Sequence, residues 1–182
     1  QYCSEETTNL DAFIHDKRFT IHKVHYTKSK GTCWARHKTC IMYHDEDYTL
    51  QIDSHMRFAH HWDVQLIDMI KMIDIKPITI PFKSKFVAAG FVFTIGQYCL
   101  TVKSDPNLYF KGDEISEPIR AFTHGYRFFH PHKNIIWHIY SYKDRDDGRK
   151  CHWEYHNEKP HHKLHTEGEI ERIKTLVLKN GE

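Results

Sequence analysis

The sequence lacks the features that mark several common protein classes. Its formal net charge is only +2, which argues against a dedicated nucleic-acid binder, because such domains are usually strongly basic. It has no apolar run near the roughly 20 residues needed to span a bilayer, and no signal peptide is visible. We therefore expect a protein that acts in the cytoplasm, with no membrane span and no nucleic-acid partner.

The cysteines also lack a recognisable pattern. Five are present, an odd number, and none forms a Cys-x-x-Cys pair. The sequence therefore indicates neither a zinc ribbon nor a disulfide framework, and it favours a reducing compartment. Cys33, beside Trp34, has no convincing histidine and asparagine setting for nucleophilic catalysis, which disfavours a cysteine hydrolase.

The residues that are present fit one globular α/β domain. The chain has 182 residues, of which 40% are hydrophobic and 14% aromatic, enough to support a buried core. Hydrophobic periodicity separates strands from helices. It predicts strands at 18–26, 48–53, 85–95 and 134–140, and helices after the Ser29–Gly31 turn and at 62–74, 112–126 and 168–178. Strands that alternate with helices predict a largely parallel sheet.

The tripeptide Asp53-Ser54-His55 ends one of these predicted strands. On an extended backbone, residues two apart point to the same side, so the Asp53 carboxylate and the His55 imidazole face one point. A carboxylate with an imidazole suits manganese or a similar divalent cation. A strand-end aspartate that caps the following turn, with His55 merely exposed, explains the tripeptide equally well.

Four segments together resemble a known family. They are "SKGTCWARH", "YTLQIDSHMRF", "FVAAGFVF" and "FKGDEISEPIRAFTHGYRFFHP" followed by "IIWH". In this order the chain resembles the GlcNAc-type glycosyltransferase family, which includes cytoplasmic enzymes that place N-acetylglucosamine on hydroxyproline. More distantly, it is similar to the polypeptide N-acetylgalactosaminyltransferases. The resemblance covers most of residues 1–155 and implies a GT-A fold, a central, mostly parallel sheet flanked by helices that binds a nucleotide sugar.

The chain departs from the family pattern in two places. It begins after the first nucleotide-binding strand and the loop that helps to hold the uracil, and the junction "KPITIPFKSKF" is shorter than in the family. We therefore expect residues 1–182 to form a single glycosyltransferase domain that is incomplete at the N-terminus and near 76–84. Residues 141–168 are expected to form a mobile flap over the donor.

The resemblance also implies roles for particular residues. The metal ligands would be Asp53, His55 and His138, holding Mn²⁺ or another divalent cation such as Mg²⁺. The donor would be a UDP-sugar, most directly UDP-GlcNAc, and the acceptor a hydroxyl on a protein or glycan, with retention of configuration. The implied donor-binding residues are Arg36, Asp53, Ser54, Ala89, Gly90, Gly112 and Glu114, and the implied catalytic residues are Glu114, Asp113 and Arg36.

Several of these residues have ordinary structural explanations. Asp113 and Glu114 open a predicted helix, where carboxylates are favoured by the helix dipole; Glu114 matches the family glutamate better. His138 can be a core histidine bonded to a backbone carbonyl, and Arg36 can lie on a solvated helix face.

Two further hypotheses remain open at this point. The histidine-rich tail suggests a zinc site but matches no closed tetrahedral spacing, so a flap or surface role is favoured; its histidines are His152, His156, His161, His162 and His165. The whole chain can also be a non-catalytic carbohydrate- or metal-binding module, and a metal-dependent hydrolase is a weaker alternative.

Overall fold

The chain folds into a mixed α/β structure, which confirms that part of the expected fold class. The computed structural model describes residues 10–24, 28–73, 82–84, 86–110, 112–138 and 161–178. A 3-10 turn lies at Asp11–Phe13. The helices are α1 (Thr32–Cys40), α2 (Trp62–Met72), α3 (Tyr98–Thr101), α4 (Asp113–Thr123) and α5 (His161–Leu178). The strands are β1 (Tyr48–Ile52), β2 (Met56–Phe58), β3 (Phe82–Ser84), β4 (Phe91–Ile95), β5 (Phe128–His130) and β6 (Ile136–His138).

The strands of the described residues form three antiparallel pairs. β1 pairs with β4, β2 with β6 and β3 with β5. The mostly parallel central sheet that was expected is therefore not seen in this part of the chain. These strands are only three to five residues long, and each pairs with a strand distant in sequence that runs the opposite way.

The first predicted strand, at 18–26, is wrong for the residues that the structure describes. Residues 18–24 have no strand pairing, and apolar side chains such as Phe19 (46% exposed) and Val24 (38% exposed) face solvent. Alternation of apolar and polar residues needs a partner strand before it makes a sheet. Residues 25–26 lie outside the described residues.

The predicted helices are confirmed, with shifted ends. α1 follows Gly31, whose φ of 104° favours glycine and whose Cα faces the Tyr109 carbonyl so closely that a Cβ would collide with it. α4 begins at Asp113 as expected and ends at Thr123. Gly125 follows with φ 84°, the left-handed conformation that commonly terminates helices.

Two apolar clusters fix these elements in place. In the first, Leu66 and Met69 of α2 pack with Ile135 against residues of β1 and β4. In the second, Tyr98 and Val102 pack with Ala121 of α4. β1 is thus held by α2 on one face, so that the residues just after its end are rigidly placed.

The C-terminal helix α5 packs near the start of α4. Glu169 is 2% exposed and accepts a hydrogen bond from the Phe110 backbone N–H. Arg172 pairs with Asp105 at 2.6 Å, and Ile173 lies against Gly112. Within the described residues, no helix is both long and apolar enough to cross a membrane.

Candidate active site

The structure brings Asp53, His55 and His138 to one point. Their ligand atoms all lie within 4.8 Å of one another. His138 Nε2 is 3.5 Å from Asp53 Oδ2, and the two imidazole rings meet edge to face with centroids 4.2 Å apart. The set predicted from the sequence is therefore a single cluster.

Strand pairing explains how these distant residues meet. The Asp53 N–H donates to the Gly90 carbonyl at 3.1 Å, which continues the β1–β4 ladder by one step. In the β2–β6 pair, Met56 lies opposite His138. His55, one residue earlier, therefore sits beside His138.

The donor set fits a divalent cation. One carboxylate oxygen and two imidazole nitrogens suit manganese, zinc and similar borderline metals better than all-oxygen calcium sites do. The Asp53 side chain is 31% exposed and that of His138 is 17% exposed. The cluster is therefore half-buried, and part of it is open to solvent.

Arg36 joins this cluster to the start of α4. One guanidinium nitrogen lies 3.0 Å from Asp53 Oδ1, and another donates directly to Asp113 Oδ2. The Arg36 side chain is only 11% exposed, so it does not lie on a solvated helix face. Asp53 thus presents Oδ1 to Arg36 and Oδ2 to His138, so its carboxylate is held in one orientation.

The structure distinguishes the two carboxylates that open α4. The Asp113 side chain is 5% exposed and faces Arg36, whereas the Glu114 side chain is exposed. The helix start was predicted correctly, and the residue that joins it to the cluster, through Arg36, is Asp113. Two carboxylates and one guanidinium leave this group with one formal negative charge, which favours a cation.

The small residues Ala88–Gly90, after β3, form a turn beside Asp53. The Ala88 carbonyl accepts from the Phe91 N–H at 2.8 Å, which closes a turn. A Cβ on Gly90 would come within 2.9 Å of Asp53 Oδ2, so glycine lets the carboxylate lie against the backbone. Gln51 Nε2 donates to the Ala89 carbonyl at 2.8 Å and fixes the turn.

Gly112 and Ser54 are placed differently from one another. Gly112 is buried, and its Cα faces Ile173 of α5 and Leu108, so its small size serves packing between helices. The Ser54 hydroxyl is exposed and lies 3.4 Å from His55 Nδ1. Ser54 therefore stays at the edge of the cluster.

Sequence reasoning missed a second polar group directly behind the first. Glu117 is 3% exposed and accepts from the Tyr98 hydroxyl at 2.9 Å. Burial raises the pKa of the Glu117 carboxyl, although the hydrogen bond from Tyr98 opposes this. The signal was present, since Glu117 follows Asp113 by one helical turn and precedes buried Ala121 by another.

These residues line a cavity of about 100 Å³. Its polar wall includes Glu117, Gln51, Thr49, Cys40 and Cys99. Thr49 and Gln51 lie on the same face of β1 as Asp53, because alternate strand residues share a face.

Several sequence predictions fall outside the described residues. The structure does not describe residues 1–9, 74–81 and 139–160. The predictions for the junction near 76–84 (except β3), for most of the flap at 141–168, and for His152 and His156 therefore fall outside it. Residues 161–168 begin α5, and the side chains of His161, His162 and His165 are not described. The tail zinc site therefore stays a hypothesis.

Comparison with known proteins identifies the family. A family model described as "Glycosyltransferase (GlcNAc)" matches residues 1–80 and 72–182. No curated protein and no solved structure matches the chain significantly. The two matched ranges together cover all the segments that carry the resemblance. The chain therefore belongs to the GlcNAc-type glycosyltransferase family.

Proposed function

We propose that this glycosyltransferase is metal-dependent and moves N-acetylglucosamine from UDP-GlcNAc to a hydroxyl of a protein or glycan acceptor. The observation that carries the proposal is the meeting of Asp53, His55 and His138 at one half-buried point. The proposal includes a GT-A fold and a cytoplasmic setting.

The metal ligands in this proposal are Asp53 Oδ2 and one ring nitrogen each of His55 and His138. When bound there, Mn²⁺ or Mg²⁺ offsets the negative charge of the sugar-nucleotide diphosphate. Arg36 keeps the Asp53 carboxylate turned so that Oδ2 faces the two histidines, and Asp113 in turn fixes Arg36. Arg36 thus acts chiefly by positioning Asp53, and it contacts the leaving diphosphate only if it releases one carboxylate.

The exposed Glu114 carboxylate has a separate role in the proposal. It lies next to Asp113 at the start of α4 but faces solvent, where it can accept hydrogen bonds from sugar or acceptor hydroxyls. Ser54 and the Ala89–Gly90 turn, which lie beside Asp53, are proposed to contact the donor. Glu114 is therefore a candidate for orienting the acceptor.

Retention by front-face displacement agrees with these contacts. Asp53 and Asp113 both pair with Arg36, so neither is set up to attack the sugar as a nucleophile. In the proposed step the acceptor oxygen forms a bond to the anomeric carbon of the sugar. At the same time the bond between the anomeric carbon and the phosphate oxygen breaks. The acceptor proton passes to the departing phosphate.

UDP release measured with UDP-GlcNAc and Mn²⁺ tests the proposal. We expect turnover by the unmodified chain, its loss in Asp53→Asn, and its retention in Asp16→Asn. Asp16 is a matched control, because its side chain is 28% exposed and pairs with Arg18, while that of Asp53 is 31% exposed and pairs with Arg36. Equal turnover in the two variants would show that the metal assignment is wrong. Metal binding without any turnover would support the non-catalytic binding module.

A further inference from the structure

One peptide group connects α5 to the starts of α1 and α4. The carbonyl of the Tyr109–Phe110 peptide accepts a hydrogen bond from the Thr32 N–H at 2.9 Å. The N–H of the same peptide donates to Oε1 of Glu169 in α5 at 2.5 Å. α1 begins at Thr32, and α4 begins three residues after Phe110. A single carboxylate of α5 is thus connected to the first turns of both helices.

We propose that Glu169 is a positioning residue that keeps Arg36 in contact with Asp113. Its carboxylate fixes the peptide, and the peptide fixes the start of α1 at Thr32. Arg36 follows Thr32 by four residues, so both lie on one face of that helix. The consequence for catalysis rests on the proposed function, because Arg36 holds the proposed metal ligand Asp53.

The burial of Glu169 suits this role. The residue is only 2% exposed, and a buried carboxylate is costly unless it accepts hydrogen bonds. A bond from a backbone N–H to a carboxylate is shorter and stronger than one between neutral groups. Hydrogen bonds in a chain also polarise one another, so the bond at the Phe110 N–H strengthens the one that the Tyr109 carbonyl accepts.

Two further contacts dock α5 on the same part of the chain. Arg172 forms two hydrogen bonds with the Asp105 carboxylate, at 2.6 and 3.0 Å. Ile173 packs against Gly112, where a Cβ would come within 2.6 Å of the Ile173 Cδ1 atom. Because Arg172 docks the helix at Asp105, four residues before Tyr109, helix docking can be tested separately from the bond to the peptide.

Glu169→Met and Glu169→Gln test the acceptor oxygen itself. Both replacements keep the length of the glutamate side chain, but only glutamine has an oxygen that accepts from the Phe110 N–H. Amide hydrogen exchange, measured residue by residue by nuclear magnetic resonance, reports the protection of the Thr32 N–H. We expect Thr32 to exchange about 10-fold faster in Glu169→Met, with most of its protection restored in Glu169→Gln.

The Arg36 guanidinium shows whether the effect reaches the site. Its ¹H–¹⁵N signals, assigned by their disappearance in Arg36→Lys, report the bond to Asp113. We expect these signals in the unmodified chain and in Glu169→Gln, and their loss to exchange with water in Glu169→Met. They decide this proposal even if the unmodified chain binds no Mn²⁺, an outcome that would overturn the proposed function alone.

Two variants of neighbouring residues on α5 serve as controls. Glu171→Met replaces a glutamate whose side chain is 72% exposed and pairs with Lys174, and it should leave both readouts unchanged. Arg172→Met removes the docking contact with Asp105 and should change both readouts less than Glu169→Met. An equal change in either control and in Glu169→Met would overturn the proposal, because Glu169 would then only hold the helix in place.

Two other results would also overturn the proposal. One is a folded Glu169→Met variant, verified by circular dichroism, in which Thr32 exchange and the Arg36 signals match those of the unmodified chain. The other requires no variant to fold: in the unmodified chain, the Thr32 or Phe110 amide exchanges as fast as an exposed amide.

Discussion

Two polar layers, one helical turn apart, run across α1, β1 and α4. They differ in how many charged groups they contain. The outer layer consists of Arg36, Asp53 and Asp113, and the inner layer of Cys40, Gln51 and Glu117. Each inner residue follows or precedes its outer counterpart by four helix positions or two strand positions, which keeps both on one face.

The two layers differ in the charged groups they contain and in the groups that compensate those charges. The outer layer holds a guanidinium between two carboxylates beside a half-open cluster of two imidazoles. The inner layer encloses a small cavity, and its one carboxyl, that of Glu117, has its pKa raised by burial. The ion pairs therefore lie where a ligand can meet them, and the buried Glu117 carboxyl, whose pKa burial raises, lies behind them.

Loss of His138 should have the largest effect. His138→Ala removes one of the three proposed metal ligands, and we expect the Mn²⁺ affinity to fall by about 100-fold or more, since loss even of an outer partner costs 10–100-fold. Titration of the electron paramagnetic resonance signal of free Mn²⁺ measures this affinity. His124→Ala, at the exposed end of α4, should leave it unchanged; an equal loss in both variants would contradict the assignment.

Asp113 and Glu114 should differ sharply in stability. Asp113→Asn takes one charged partner from the buried Arg36 guanidinium but keeps an acceptor oxygen, so we expect a loss of about 2 kcal/mol in the free energy of unfolding. The neighbouring Glu114→Gln, on an exposed side chain, should change it by less than about 0.5 kcal/mol. Urea unfolding compares the two, and similar losses would mean that the bond between Arg36 and Asp113 contributes little.

A methyl group at position 90 should lower the Mn²⁺ affinity, but by less than the loss of His138. Gly90→Ala places a Cβ about 2.9 Å from Asp53 Oδ2, so the carboxylate must turn, and we expect Mn²⁺ affinity to fall about 10-fold. Gly168→Ala adds the same group in α5 where nothing lies within 4 Å. It should leave Mn²⁺ binding unchanged and raise stability by up to about 1 kcal/mol; unchanged affinity in Gly90→Ala would show that the close contact is not needed.

In the inner layer, the Glu117 carboxyl should make the stability of the protein depend slightly on pH. The folded pKa of Glu117 is raised above its unfolded value near 4.5, so the folded state binds the extra proton. Its stabilising effect is full below the unfolded pKa and is lost as the pH rises through the folded pKa. Glu117→Gln should remove this fall in stability above about pH 4.5, measured as the urea midpoint relative to the unmodified chain; parallel pH curves would contradict it.

The sequence predicted the elements better than it predicted their pairing. The strand that ends at Asp53 and the helix that begins at Asp113 follow from local pattern and are observed. The strand predicted at 18–26 was wrong over residues 18–24, because hydrophobic periodicity does not show whether a partner strand is present. Antiparallel pairing of β2 with β6 joins segments about eighty residues apart, and local pattern contains no information on such pairing.

The candidate site divides in the same way. Asp53, His55 and His138 came from a family resemblance, and the structure confirms that they meet. The choice between Asp113 and Glu114 depends on the rotation of α4 relative to α1, which packing decides. Glu117 could have been found from its one-turn spacing after Asp113, whereas the cavity that Glu117 shares with Cys40 and Cys99 required the tertiary structure.

Anomalous diffraction from Mn²⁺-soaked crystals tests the central claim most directly. The account predicts a peak at bonding distance from Asp53 Oδ2 and from one ring nitrogen each of His55 and His138, with Arg36 still on Asp53 Oδ1. Density confined to the histidine-rich segment at 152–165, with the three side chains well ordered and no peak between them, would contradict it.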